Sequence, residues 1–273
     1  MSDRYAVIGN PIAQSKSPFI HSSFARATGQ DIEYTRIECP LGEFASVVDG
    51  LRAAGGKGMN ITAPFKLDAY AHATDRSPAA ELAGAANAMK FEGDRIYAEN
   101  FDGVGLVRDV VHNLHEPIEG MRVLMLGAGG AARGALMPFL AEQPAELVIA
   151  NRTRGKAVEL AHIGKDWGAV RACGYDELDG MRFDMVFNAT SASLRAELPP
   201  VPASVFREAR MVYELAYGKG MTPFLRLAKG AGVRHLADGV GMLAEQAAEA
   251  FAWWRGVRPD TRAVIDELMV PLV

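Results

Sequence analysis

"VLMLGAGGAARGAL", residues 123–136, places an apolar run directly before a glycine-rich turn and a run of helix formers. Gly127, Gly129 and the small residue Ala132 form the pattern GxGxxA. In a dinucleotide-binding turn the first glycine permits the tight turn and the second lets the backbone approach the pyrophosphate. The small third residue lets the helix pack on the strand. The stretch therefore predicts a Rossmann strand, turn and helix, with phosphate bound at the helix N-terminus.

The strand that follows, residues 146–150, indicates which dinucleotide is bound. A site for NAD usually carries an Asp or Glu at the end of this strand to bind the ribose hydroxyls. Here the strand leads into NRTRGK, residues 151–156, which contains three cations and no carboxylate. A guanidinium can pair with the 2′-phosphate of NADP, whereas a carboxylate would repel it. We predict NADP as the cofactor; without the upstream glycines, a solvated basic turn would be an alternative.

The remaining sequence alternates short Val- and Ile-rich runs with segments of helical period, as expected for α/β units around a parallel sheet. Strands before residue 103 are followed by a second series, which predicts a second domain from about that position. The predicted strands are 5–8, 32–38, 58–62, 87–91, 95–98, 122–126, 146–150, 185–188 and 211–214. The predicted helices are 18–27, 43–54, 106–114, 243–254 and 261–268. By pattern alone, the last two helices could complete either domain.

Composition excludes several classes of function. Lys and Arg total 29 against 33 Asp and Glu, a net charge of −4, so no basic excess favours nucleic acid or an anionic membrane. Cys39 and Cys173 form no CxxC pattern, which disfavours a disulfide framework and indicates buried thiols in a reducing compartment. His112 and His115 have helical spacing but no third ligand nearby, so we expect no metal. With no signal peptide or membrane-spanning run, we expect a cytoplasmic protein with a small-molecule substrate.

The segment NITAPFK, residues 60–66, supplies candidates for the chemistry. Nicotinamide chemistry on an alcohol or ketone needs a group that exchanges the hydroxyl proton as hydride moves. Asn60, Thr62 and Lys66 are predicted at a strand end and helix start, where side chains face the crevice of an α/β sheet. Alone, Lys66 is more simply a surface lysine. Asn87 in GAANA and Asp102 at the domain junction favour a site instead.

Several ordered segments resemble the shikimate dehydrogenase family, and the likeness covers nearly the whole chain. They are GNPIAQSKSPFIH, NITAPFK, GAANA, NFDGVG, GAGGAARG, NRTRGKA, NATS, YGKGMTPFL and ADGVGMLAEQAAEAF. The resemblance implies an NADP-dependent oxidoreductase that interconverts 3-dehydroshikimate and shikimate in aromatic amino-acid biosynthesis. It also implies an α/β fold of two domains: a substrate domain, residues 1–102 completed by 243–273, and a Rossmann NADP domain, residues 103–242. We expect a monomer or homodimer.

By the same resemblance, Lys66 is the catalytic acid/base and Asp102 its partner. The implied substrate contacts are Ser15, Ser17, Thr62, Lys66, Asn87, Asp102, Tyr217 and Gln246. The implied NADP contacts are Gly127, Ala128, Gly129, Gly130, Ala131, Asn151, Arg152, Thr153, Arg154, Lys156, Leu215 and Gly239.

The bend SKSP, residues 15–18, is the candidate site for the substrate carboxylate, because the pocket segments hold no obvious Arg clamp. We predict Ser17 as the N-cap and Pro18 as the first helical residue. The bend can then aim N–H groups and the Ser15 and Ser17 hydroxyls at an anion. A plain helix start is compatible with that role.

Four positions depart from the family pattern: Phe101 and Ala88 stand where Thr is common, Ser193 where Gly is usual, and Glu214 where Asp is usual. Phe101 is adjacent to Asp102 and could reshape the ring pocket or point into the core. A relative that oxidises quinate or another cyclic hydroxy acid is therefore one alternative.

A non-catalytic NADP-binding sensor is the second alternative. The retention of both Lys66 and Asp102 argues against it, since a binding module has no need of a proton donor.

Overall fold

The computed structural model describes the chain in two compact α/β units. The described residues are 2–190, 192, 197–218 and 220–272. The first unit comprises residues 1–105 and 244–264, and the second comprises 106–243 and 265–273.

A mixed six-stranded sheet in the order β2-β1-β3-β5-β6-β4 forms the first unit. Its strands are β1 Asp3–Gly9, β2 Ile32–Glu38, β3 Gly56–Ile61, β4 Asp75–Arg76, β5 Ala88–Glu92 and β6 Arg95–Glu99. β1 is parallel to β2 and β3, and β5 is antiparallel to β3 and β6. The helices that begin within residues 1–105 are α1 Ser17–Thr28, α2 Phe44–Ala53, α3 Lys66–His72, α4 Pro78–Ala83 and α5 Asp102–Arg108.

Both faces of this sheet are buried, as β1 illustrates. Tyr5 and Val7 belong to one hydrophobic cluster, whereas Ala6 and Ile8 belong to another. Successive side chains of a strand point to opposite faces, so an apolar run without polar interruption buries both.

In the second unit, six strands pair in parallel in the order β12-β11-β10-β7-β8-β9. They are β7 Arg122–Leu126, β8 Glu146–Ala150, β9 Val170–Cys173, β10 Met185–Asn188, β11 Met211–Glu214 and β12 His235–Asp238. The remaining helices are α6 Gly130–Ala141, α7 Arg154–Gly164, α8 Pro223–Gly230, α9 Val240–Arg255 and α10 Arg262–Leu268. This strand order is that of the Rossmann fold, which confirms the predicted α/β class.

The apolar run of residues 123–126 lies at the centre of this sheet. Val123 and Met125 of β7 enter one buried cluster, and Leu124 and Leu126 enter the cluster on the other face. The run therefore indicated a strand buried on both faces.

The prediction of one helix over 106–114 is wrong in its form. The α-helix starts earlier, at Asp102, and the segment Asp109–Asn113 is π-helical. In the described part of the chain, none of the helices combines the length and apolar character needed to cross a membrane.

Candidate active site

An ion pair between Lys66 and Asp102 lies at the centre of the candidate site in the first unit. Lys66 Nζ donates to Asp102 Oδ2 at 2.6 Å, and the Lys66 and Asp102 side chains are 35% and 13% exposed. The bond joins two charged groups and is therefore of the stronger kind. The structure thus brings together the two residues that the family resemblance predicts for catalysis.

The position of Lys66 on its helix is informative. Lys66 is the first residue of α3, and Phe65 at the N-cap provides no capping side chain. A cation at a helix N-terminus is disfavoured by the helix dipole, whereas a carboxylate such as Asp102 in the first turn of α5 is favoured. The lysine is therefore held where its own helix does not stabilise it, and Asp102 compensates.

Asn87 binds the other oxygen of the Asp102 carboxylate. Its Nδ2 donates to Asp102 Oδ1 at 2.8 Å and to Gln246 Oε1 at 3.2 Å, while its Oδ1 accepts the Phe101 N–H at 2.9 Å. The Asn87 residue is only 2% exposed. Each oxygen of Asp102 thus has a donor, and Gln246 of α9 joins the same network.

Thr62 follows the end of β3, beside Gly9 at the end of β1. Its N–H donates to Ile8 O at 3.0 Å. A Cβ added to Gly9 would lie 2.6 Å from Thr62 Cγ2 and 2.8 Å from Ile12 Cδ1. The glycine therefore lets the first loop pack against Thr62.

The bend at residues 15–18 differs from the prediction by one position. α1 begins at Ser17, and Lys16 occupies the N-cap without a side-chain hydrogen bond. Ser15 Oγ instead accepts the Ser17 N–H at 3.3 Å and donates to Ser17 Oγ at 3.2 Å. The N-cap prediction for Ser17 is wrong because a serine hydroxyl can accept an N–H two residues on and end the turn itself. Both hydroxyls still lie together at the helix start.

Two side chains of β2 that no sequence pattern singled out contact this region. Tyr34 Oη donates to Asn60 Oδ1 at 2.7 Å. Arg36 donates to Ser15 O from Nε at 3.1 Å and from Nη2 at 2.6 Å. Their period-two spacing marks them as one face of a strand, but only the fold shows what that face meets.

Two of the departures from the family pattern, Phe101 and Ala88, lie in this unit, and both pack against neighbouring residues. The ring of Phe101 packs edge-on against Trp253, with centroids 5.8 Å apart. Ala88 is fully buried at the start of β5 and pairs with Asn60 and Glu99. Phe101 is thus a packing residue beside Asp102, attached through its N–H to Asn87.

In the second unit, Gly127 forms the tight turn after β7. Its φ is +107°, and an added Cβ would lie 3.2 Å from the Ala189 carbonyl and 3.3 Å from Thr190 Cγ2. A side chain here would be strained by the backbone and crowded by the neighbouring loop. Ala132 of α6 is 2% exposed, as a small residue between helix and sheet should be.

Gly129 and Gly130 are glycines for another reason. An added Cβ at either would meet nothing within 4 Å, and Gly129, the N-cap of α6, makes no side-chain cap. The first N–H groups of a helix need partners from outside it and attract anions. This open, uncapped helix start fits the pyrophosphate of a dinucleotide, with Ala128 and Ala131 in the same turn.

The basic segment after β8 is exposed and locally ordered. Asn151 Nδ2 donates to Thr153 O at 2.9 Å. Arg154 Nε donates to Glu177 Oε1 at 2.9 Å. Burial raises the pKa of Tyr175, and the charge of Arg152 lowers it. Lys156 is exposed on the first turn of α7.

Leu215 and Gly239 are brought together after β11 and β12. A Cβ on Gly239 would lie 2.2 Å from Leu215 O. Asp238 accepts the N–H groups of Gly218 and Val240, each at 3.2 Å. Tyr217, predicted to contact substrate, lies in the second unit and is 43% exposed.

A buried pair not foreseen from the sequence lies beneath this segment. Tyr213 Oη donates to Asp109 Oδ2 at 2.6 Å, and burial, followed by the charge of Asp109, raises the pKa of Tyr213 well above its usual value. Glu214, the departure next to it, is fully buried and accepts from Asn188 Nδ2 at 3.1 Å. Ser193 lies outside the described residues.

A Rossmann sheet with an open helix N-terminus and a separate Lys–Asp pair define a two-unit oxidoreductase of the dinucleotide-dependent class. The family models agree: the shikimate dehydrogenase substrate binding domain matches residues 7–89, shikimate / quinate 5-dehydrogenase matches 109–196, and the shikimate 5′-dehydrogenase C-terminal domain matches 239–269. The chain belongs to the shikimate dehydrogenase family.

Individual relatives support the assignment. The chain is 54% identical to the shikimate dehydrogenase (NADP+) of Chromobacterium violaceum over 98% of both chains. Its structure is similar to that of an Ael1 enzyme from Pseudomonas putida, with 62% identity, a TM-score of 0.97 and full coverage of both chains. The shikimate 5-dehydrogenase of Thermus thermophilus, solved with NADP(H) and shikimate, is 29% identical with a TM-score of 0.85, covering 97% of this chain and 98% of that one.

Proposed function

We propose that the chain catalyses the reversible reduction of 3-dehydroshikimate to shikimate with NADPH, a step toward chorismate and the aromatic amino acids. The observation that carries the proposal is the 2.6 Å Lys66–Asp102 pair, with Asn87 on the other carboxylate oxygen. Family membership supplies the substrate and cofactor, and this constellation supplies a proton donor that reduction of a ketone requires.

Lys66 acts as the acid in the direction of reduction. NADPH, when bound, supplies the hydride for the ketone carbon. Negative charge then develops on the ketone oxygen, and the Lys66 ammonium stabilises that charge and donates a proton to it. The resulting neutral amine regains a proton from water, to which the side chain is 35% exposed. In the reverse direction, the neutral amine accepts the hydroxyl proton.

Asp102 and Asn87 orient the donor. Asp102 Oδ2 fixes the ammonium, and the carboxylate can also accept a hydrogen bond from a substrate hydroxyl. Asn87 holds Oδ1, so the carboxylate cannot turn away without breaking a bond of 2.8 Å. This arrangement holds the amine in one position for the proton transfer.

The substrate carboxylate is assigned to the bend at residues 15–18. The Ser15 and Ser17 hydroxyls lie side by side, and a hydroxyl bonded to a charged oxygen contributes about 1.5–3 kcal/mol. Thr62 and Gln246 complete the proposed substrate contacts of the first unit.

The cofactor contacts are assigned to the second unit. Backbone N–H groups of residues 127–131 would hold the pyrophosphate at the start of α6. Arg152 would pair with the 2′-phosphate. Leu215 and Gly239 would line the other end of the dinucleotide.

The domain roles, location and assembly are part of the proposal. Residues 1–102, completed by 243–273, would bind substrate, and residues 103–242 would bind NADP. Cys39 and Cys173 are free and buried, which supports a reducing compartment such as the cytoplasm. A monomer or homodimer is expected, and sedimentation of the purified protein would distinguish them.

Turnover measured at the NADPH absorbance band tests the function. Shikimate and quinate are supplied side by side, each with NADP and with NAD. We expect the highest kcat/KM for shikimate with NADP. Binding of NADPH without turnover of either acid would instead indicate a sensor.

Quinate or another cyclic hydroxy acid is a second candidate substrate. The identity of Phe101 favours it, because an aromatic residue adjoins Asp102 where the family usually has a threonine. A higher kcat/KM for quinate than for shikimate would decide for this alternative.

A further inference from the structure

Two side chains of β2 support the carboxylate bend from opposite sides. Tyr34 and Arg36 are two residues apart and therefore project from the same face of the strand. Tyr34 is 8% exposed, whereas Arg36 is exposed. One reaches the bend from the interior of the unit and the other from its surface.

Tyr34 fixes the orientation of a neighbouring amide. Its hydroxyl donates to Asn60 Oδ1 at 2.7 Å, and Asn60 Nδ2 donates to the Asn87 carbonyl at 3.4 Å. The Tyr34 hydroxyl needs an acceptor and the Asn87 carbonyl needs a donor, so the Asn60 side-chain amide satisfies both in only one orientation. The ring of His21 stacks on Tyr34 with centroids 4.2 Å apart, which holds the phenol in place.

Tyr34 also connects to the serine pair. Burial raises the pKa of the Tyr34 phenol well above its usual value, and a hydrogen bond from the Ser17 side chain to the phenol oxygen lowers it. A phenol hydroxyl can both donate and accept. When Ser17 directs its single proton at an anion instead, Tyr34 keeps its own proton on Asn60 Oδ1. The serine can then bind the anion while the buried Asn60 amide stays satisfied.

Arg36 fixes the backbone of the bend. Two of its N–H groups converge on the Ser15 carbonyl, at 3.1 Å and 2.6 Å. The planar guanidinium suits this two-point contact, and it also adds positive charge beside the bend. Arg36 thus supplies the cation that the pocket segments lack, although it bonds the backbone.

We propose that Tyr34 and Arg36 are positioning residues for the substrate carboxylate, acting through Ser17, Asn60 and the Ser15 carbonyl. This inference rests on the proposed function. Neither residue reaches the reacting ketone in this scheme, so both affect binding of the acid and leave the proton transfer to Lys66.

The test compares hydroxyl and guanidinium deletions with matched controls in the same unit. Tyr34→Phe is paired with Tyr5→Phe, since Tyr5 is in the same hydrophobic cluster but its hydroxyl lies 3.5 Å from Arg255. Arg36→Met is paired with Arg4→Met, since Arg4 also bonds a backbone carbonyl, Ala54 O, at 3.1 Å. Arg36→Lys retains the charge without the planar fork.

Steady-state kinetics are measured with shikimate and with its carboxamide analogue, together with thermal unfolding. We expect Tyr34→Phe and Arg36→Met to raise KM for shikimate about twofold to tenfold, with kcat and KM for NADP nearly unchanged. The carboxamide should show little of this increase, the controls should resemble wild type, and Arg36→Lys should lie between Arg36→Met and wild type.

Two failures are distinguishable. Absence of shikimate turnover by the wild-type enzyme would overturn the proposed function and this inference with it. Normal turnover combined with equal KM changes for acid and carboxamide, or with variants that match their controls, would overturn this inference alone. Variants that lose thermal stability and show no change in KM for shikimate would likewise overturn this inference alone.

Discussion

The two units build their sites from different chemical groups. In the first, the side chains of Lys66, Asp102, Asn87 and Gln246 hydrogen-bond in series. In the second, the predicted cofactor site consists of a glycine turn, an uncapped helix start and exposed cations. The first site depends on particular functional groups, whereas the second depends largely on backbone and on space.

This difference predicts how each unit responds to substitution. A backbone site spreads binding over several N–H groups, so the loss of one contact costs a fraction of the affinity. A proton donor has no substitute, so its loss costs most of the rate. Substitutions in each unit, matched with controls, test that contrast.

Removal of the proton donor should have the largest effect. Lys66→Ala is expected to lower kcat by about 10²–10⁴, the usual share of positioned acid/base catalysis, while shikimate still binds. Steady-state kinetics and calorimetric titration with shikimate measure the two quantities. Lys57→Ala, at an exposed position of β3, is the matched control and should behave as wild type. A near-normal kcat for Lys66→Ala would make the lysine structural.

Acid should destabilise the two units unequally. Burial lowers the pKa of His21 in the first unit to about 3, so the folded state keeps it neutral while the unfolded state protonates it below about 6.5. The stability that depends on this residue is complete above pH 6.5 and is lost as pH falls toward 3. At pH 5 the loss is about 2 kcal/mol.

Protonation of Asp238 in the second unit has the opposite effect on the free energy of unfolding. Burial raises its pKa, despite bonds from Gly218 and Val240 that lower it, so protonation of this carboxyl adds stability as pH falls. Hydrogen exchange at pH 8 and pH 5 should therefore show greater loss of protection in β1 than in β7. His21→Phe should reduce that difference, and His112→Phe, at an exposed position, should not. Equal loss in both strands would refute the assignment to His21.

The glycine turn separates a requirement of the fold from one of the ligand. Gly127→Ala should lower the free energy of unfolding by about 1–2 kcal/mol, because its φ of +107° disfavours any L side chain. Gly129 has an ordinary φ of −86° and open space, so Gly129→Ala should leave stability unchanged or raise it by about 0.4–1 kcal/mol. Only the second variant should weaken NADPH binding without destabilising the fold. Urea unfolding and fluorescence titration give both values; unimpaired NADPH binding by Gly129→Ala would contradict the assigned site.

Sequence pattern predicted the elements with strong apolar runs and missed those without them. β7 and β10 are largely buried and were predicted with their observed bounds. β9 and β12 were missed because they are four-residue edge strands with largely incomplete burial. Short edge strands lack the periodicity that the prediction needs.

The site was predictable in its positions but not in its connections. The family resemblance located Lys66 and Asp102, which the structure joins across 36 positions of sequence. Tyr34 was not selected, since a tyrosine inside a strand usually serves packing, and its bond to Asn60 depends on strand pairing. Likewise, 104 positions separate Asp109 from Tyr213, and no local pattern connects them.

Two arginines of the second unit, two residues apart, give the test with the smallest expected effect. Arg154 donates to Glu177, whose carboxylate also accepts the Gly174 N–H at 2.7 Å. The positive charge of Arg154 is therefore balanced by a carboxylate of the protein. Arg152 has no such carboxylate partner among the described residues, and its positive charge lowers the pKa of Tyr175, which burial raises. We therefore expect the 2′-phosphate of NADP to be bound mainly by Arg152.

Because both side chains are exposed and screened by solvent, we expect Arg152→Ala to raise KM for NADP by about tenfold, the lower end for a charge-assisted contact. KM for NAD, which lacks the phosphate, should stay constant, and Arg154→Ala should change KM for NADP by less than Arg152→Ala does. Kinetics with both cofactors at two salt concentrations measure this, since the Arg152 effect should shrink as salt screens the contact. Equal increases for NADP and NAD would show that Arg152 supports the turn rather than the phosphate, and a larger effect of Arg154→Ala would show that Glu177 releases its partner when the cofactor binds.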